Sequence, residues 1–61
     1  MYEAGDILIM SNGEELRVMY ISEKGIITLM NTETKEVSAG QLKYLGTPKK
    51  VIRRRLDDKP A

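Results

Sequence analysis

Ile7-Leu8-Ile9-Met10-Ser11-Asn12-Gly13-Glu14-Glu15-Leu16-Arg17-Val18-Met19-Tyr20-Ile21 is the stretch that decides how this chain folds. An apolar run of strand length stands on each side of a turn. Asn12-Gly13 is the strongest short hairpin signal available, because both residues accept positive φ. Residues 16–21 are rich in β-branched and aromatic side chains, which suit a pleated, half-buried surface. The stretch therefore predicts an antiparallel hairpin pairing residues 7–10 with 16–21.

The same grammar continues downstream. Ser22-Glu23-Lys24-Gly25 is a turn with glycine at its end, and residues 26–31 form a third strand. Thr32-Glu33-Thr34-Lys35 turns again before a short fourth strand at 36–38. Connections this short join neighbouring strands, so the order predicts an antiparallel meander. Ser38-Ala39-Gly40-Gln41 then matches a capping box, and Gly46 stands where a helix C-cap belongs. A short α or 3₁₀ helix is expected over 39–45, with Leu42 and Leu45 facing the sheet together.

Residues 49–56 support two readings. Thr47-Pro48 resembles an N-cap and first-turn pair, which favours a helix. Lys49 and Lys50 at the positive end of such a helix, and Asp57 and Asp58 at its negative end, oppose it. The balance favours a last strand, with Val51, Arg53 and Arg55 on one side and Ile52, Arg54 and Leu56 on the other. The expectation is one domain over 1–61, with 5–56 folded and 57–61 frayed.

Composition narrows the function. A chain of 61 residues buries only about 60% of its unfolded surface, so it needs support from a staple or a partner. There is no cysteine, which excludes disulfides and thiolate metal sites, and no histidine, the commonest metal ligand and general base. Glu14-Glu15 lie in a turn and read as solvated charges, so catalysis, cofactors and a metal site are not expected. Charge is uneven: residues 1–48 carry four basic against seven acidic groups, and residues 49–61 carry six against two. Lys49, Lys50, Arg53, Arg54 and Arg55 are therefore the expected contact with a partner or a nucleic acid. Glu3 and Asp6 stand where a signal peptide would be basic, and no run reaches the ~18 apolar residues of a membrane span. The expected location is the cytoplasm, or the host cytoplasm for a phage-encoded chain.

Alternation divides the strands into two sets when register is taken from the turns. Ile7, Ile9, Leu16, Val18, Tyr20, Ile27 and Leu29 form the expected core. Leu8, Met10, Arg17, Met19, Ile21, Thr28 and Met30 form the other face. Methionine suits adaptable interfaces, so Met10, Met19 and Met30 with Arg17 are candidates for a dimer or partner surface. The plainer reading makes those methionines filler at the seam of the fold.

The order of elements resembles that of SH3-like small barrels. Gly5-Asp6, Gly25-Ile26 and Val37-Ser38-Ala39-Gly40-Gln41-Leu42 carry the resemblance, over residues 5–56. It implies an all-β barrel of about five antiparallel strands, with one short α or 3₁₀ turn before the last. That architecture hosts unrelated functions. Gly25-Ile26 is also similar to a step in the KOW motif, although Glu14, Glu15 and Glu23 put acid where a nucleic-acid face would be basic. Lys35-Glu36-Val37-Ser38 resembles the fourth-strand segment of the carbon-storage regulator family of RNA-binding dimers. The uncharged first strand, and Ala39-Gly40-Gln41 in place of an arginine, depart from that family, so its RNA-binding residues are not carried over. Small size without cysteine or histidine is also a type common among phage and mobile-element proteins. The function expected is a non-catalytic module that binds protein, as adaptor, inhibitor or assembly subunit, and is itself dimeric. The alternative is nucleic-acid binding through the basic segment.

Overall fold

The computed structural model describes residues 2–53. It is all-β: β1 (Ile7–Ile9), β2 (Glu15–Ile21), β3 (Ile26–Asn31), β4 (Val37–Gln41) and β5 (Lys50–Ile52), with a 3₁₀ turn (Leu42–Tyr44) between the last two strands. The strands form one antiparallel sheet in the order β4-β3-β2-β1-β5. Among the described residues no ladder joins β4 to β5, so the sheet is open where a closed barrel was expected. No helix among these residues is long and apolar enough to cross a membrane.

Local chemistry fixes the three hairpins. In the first, the Gly13 amide donates to the Met10 carbonyl at 2.9 Å and the Met10 amide to the Glu14 carbonyl at 2.8 Å. Of Asn12 and Gly13, only Gly13 takes positive φ, at 91°. Asn12 instead uses its side chain, whose Oδ1 accepts the Glu14 amide at 2.9 Å. The loop is thus residues 11–13, a tight turn followed by a left-handed glycine. The second hairpin repeats the device, with Gly25 at φ 81° and Ser22 Oγ accepting the Lys24 and Ile26 amides. The third places Lys35 at φ 68° in the left-handed position, and Asn31 Oδ1 accepts the Glu33 and Thr34 amides.

The longer first loop corrects the expected faces. A two-residue turn at Asn12-Gly13 would set Ile9 opposite Leu16. The observed register sets Leu8 opposite Leu16, and Leu8 opposite Val51 on the other side. A one-residue slip moves every side chain to the opposite face. Leu8 is accordingly fully buried and Met10 packs against the core, while Ile7 and Ile9 turn to the other face, where Ile7 is nevertheless buried, as expected of it, and Ile9 is half-buried. A bulge makes the second correction. Val18 pairs with Leu29 and Tyr20 with Thr28, leaving Met19 as the extra residue. Beyond it Ile21 packs on the core and Tyr20 is 62% exposed.

The core is small. Leu8, Val18, Ile27 and Leu29 form its centre, and Tyr2, Leu16, Ile21, Leu42, Leu45 and Val51 are among the residues that pack around them. Leu42 and Leu45 do face the sheet together, as their spacing implied. The capping box is not used: Ser38 pairs with Leu29 and Gly40 with Ile27 inside β4, and the 3₁₀ turn starts at Leu42 after Gln41, which makes no side-chain cap. A long-range ladder therefore wins over a local capping signal, and the fourth strand runs past its expected end. Residues 50–52 are strand rather than helix, and the rest of the expected last strand, from Arg54 on, lies outside the described residues, as does the expected frayed end.

Candidate interaction surface

Three regions hold the residues singled out by the sequence or exposed by the fold. The first is the basic end. The Lys49 amide donates to the Ile9 carbonyl at 2.7 Å, and Lys50 opens β5 opposite Ile9. Both side chains are exposed. Arg53, just past β5, pairs its Nη1 with Asp6 Oδ2. Arg54 and Arg55 lie outside the described residues. The five basic positions are thus not seen as one cluster, and Arg53 has an internal role.

That role went unnoticed in the sequence. Asp6 is fully buried. Its Oδ2 accepts the Glu3 amide at 3.0 Å, its own amide donates to the Glu3 carbonyl at 3.1 Å, and its carbonyl receives the Val18 amide at 2.8 Å. Gly5 precedes it at φ 96° and closes the lead-in turn. A buried carboxylate requires a partner, and Arg53 supplies the cation from the other end of the chain. Oδ1 is buried with no hydrogen-bond partner among the described residues. The available signal was Gly5-Asp6 itself, an acidic residue directly before an apolar strand.

The second region is the sheet face away from the core. Direct partners run across all five strands in one row: Ile52, Ile7, Arg17, Met30 and Val37. Arg17 and Met30, both candidates from the sequence, are therefore neighbours and half-buried. Met19 is 39% exposed at the bulge, and Met10 is absent from this face because it packs on the core. Tyr20 and Val37, the latter 61% exposed, add apolar surface that the sequence reading had assigned to the core or left aside.

The third region is the β4 edge. All five of its residues are exposed. Ser38 and Gly40 face the core side with little bulk, and a groove of about 220 Å³ opens there beside Ile27, Leu29, Tyr44 and Leu45. Tyr44 is 77% exposed, and Lys43 Nζ stands 5.2 Å from its ring centre. Among the described residues no group of three or more acidic side chains is placed to hold a metal ion. No known protein family matches the chain, and no curated protein or solved structure matches it either.

Proposed function

We propose that the chain is a non-catalytic binding module that works through protein–protein contact at the outer face of its sheet. The observation that carries this is the accessible part of the cross-strand row, Arg17–Met30–Val37, flanked by the exposed Met19 and Tyr20, with Ile7 buried in the same row beneath the approach. Arginine, methionine and tyrosine are enriched where proteins meet, and tyrosine and arginine supply most binding hot spots. Arg17 stands among Met30, Val37 and Tyr20, and Glu15 and Lys50 lie beside Ile9 on the same face, which suits a partner offering an apolar patch rimmed by complementary charges. The strand order and the 3₁₀ connector support an SH3-like barrel architecture as the scaffold. An adaptor, inhibitor or assembly subunit in the cytoplasm is the role that fits.

Nucleic-acid binding through Lys49 and Lys50 is the competing reading. It has less support from the described residues, because Arg53 already neutralises Asp6. The test is a comparison of variants in affinity capture. A specific partner retained by the wild type and by Lys49→Glu, but lost by Tyr20→Glu/Met30→Glu with circular dichroism unchanged, supports the proposal. Oligonucleotide binding that falls steeply between ~50 and ~200 mM salt, and disappears in the lysine variant, replaces it with the nucleic-acid reading.

A further inference from the structure

We infer that the β4 edge pairs antiparallel with β4 of a second copy of this chain, giving a two-fold dimer whose sheet runs through both protomers. The inference concerns a different surface from the outer face and does not depend on the partner-binding reading.

The backbone gives the first argument. The Leu42 amide donates to the Gly25 carbonyl at 2.7 Å, and the Asn31 amide donates to the Glu36 carbonyl at 2.8 Å. These bracket the β3–β4 ladder in its hydrogen-bonded phase. Alternation then makes Ile27–Gly40 and Leu29–Ser38 the bonded pairs within it. The peptide groups of Val37, Ala39 and Gln41 consequently point away from β3, each offering a donor and an acceptor to the open side. A two-fold axis through Ala39 sets Ala39 against Ala39 and Val37 against Gln41 of the second copy. In that register every outward donor meets an outward acceptor, so the edge is complementary to itself.

Charge gives the second argument. The turn before β4 carries Glu33, Lys35 and Glu36, a net charge of −1. The other end of β4 carries Lys43, with Lys24 lining the same cleft beside Gln41 and Leu42. Counting Glu23, which adjoins Lys24, that end is net +1. The antiparallel arrangement brings the acidic end of each copy to the basic end of the other. A parallel arrangement would set like ends together.

Among the described residues nothing on the edge opposes pairing. β4 has five residues, Val-Ser-Ala-Gly-Gln, in regular register, with no charge, proline or bulge among them. Those are the devices by which sheets usually block their edges. A core centred on four side chains also leaves a chain of this size in want of a partner.

Sedimentation velocity across a concentration series tests the inference. The wild type should associate to a dimer. Ala39→Pro removes one outward amide while leaving the β3 ladder intact, as proline on an edge strand permits. It should weaken the dimer by about tenfold or more. Glu36→Lys and Lys43→Glu should each weaken it, and the double variant should recover affinity, which only a contact between opposite ends of β4 can produce. Amide exchange provides a readout without substitution: Val37, Ala39 and Gln41 should slow as concentration rises, while Ser38 and Gly40 should not change. A wild type that stays monomeric at ~0.5 mM overturns the inference and leaves the edge to a strand from another protein. A dimer that survives Ala39→Pro but is lost in Met30→Glu also overturns it, by moving the interface to the outer face.

Discussion

The two edges of this sheet are built in opposite ways. β5 is three residues long and starts with a lysine, and its neighbours are Pro48 and Lys49 on one side and the Asp6-bound Arg53 on the other. Short length, positive charge and a nearby proline are the ordinary means of keeping an edge from pairing. β4 is longer, regular and uncharged, and all of it is exposed. Among the described residues one edge carries these devices and the other carries none. Arg53, from the basic segment that dominates the sequence, is thus spent on Asp6, whereas the inconspicuous Val-Ser-Ala-Gly-Gln segment leaves an unguarded row of peptide groups.

Both edges rest on the same floor, so the largest effect comes from removing it. Leu8 is fully buried and faces Leu16 and Val51. Leu8→Ala should cost about 3 kcal/mol in urea unfolding and loosen β5 along with the core. Ile9→Ala, on the opposite face, should cost about 1 kcal/mol. A larger loss at Ile9 than at Leu8 would mean that β1 is in the other register.

Breaking one edge alone comes next. Ser38→Pro removes an amide that bonds β3 and should destabilise by about 3 kcal/mol, close to the whole stability expected of so small a domain. Ala39→Pro, one residue on, should leave a folded chain with its thermal midpoint nearly unchanged when both chains are compared at concentrations too low for the dimer. If the two behave alike, the peptide groups of β4 do not alternate as described.

At the other edge, Arg53→Ala leaves the buried Asp6 carboxylate without its cation. Arg53 is half-exposed, which reduces the loss through solvent screening to about 1 kcal/mol. The loss should be accompanied by faster amide exchange at Glu3 and Asp6, the two amides of the lead-in turn. No loss would show that β5 is held by its ladder and by Val51 alone.

The smallest effect should be a gain. Lys35 feeds β4 from a left-handed conformation that glycine occupies in the other two hairpins. Lys35→Gly should raise stability by about 0.5 kcal/mol, the relief of backbone strain exceeding the extra entropy of the unfolded glycine. A decrease would mean that the Lys35 side chain contributes more than its backbone costs.

Much of the fold was legible because its signals are local. Gly13 and Gly25, with Asn12 and Ser22 capping their turns, placed the first two hairpins, and Thr32-Glu33-Thr34-Lys35 placed the third. The spacing of Leu42 and Leu45 gave the short helical turn that faces the sheet. The candidate surface was legible only in pieces: Arg17, Met19 and Met30 belong to one side of the molecule, and Met10 does not. Tyr20 looked like core because an unbroken alternation from Val18 carries it inward, and nothing in residues 16–21 announces a bulge at Met19.

The all-β class, the antiparallel order and the approximate place of the three hairpin turns follow from sequence, since glycine, asparagine and serine settle backbone conformation within a few residues. The tertiary structure decided which side of β1 is inside, where β2 skips a residue, how far β4 runs and which residue neutralises Asp6. Each of those depends on contacts between distant segments. A loop longer by one residue reverses the faces of a strand, a ladder to β3 outweighs a capping box, and a buried carboxylate finds its arginine 47 residues away.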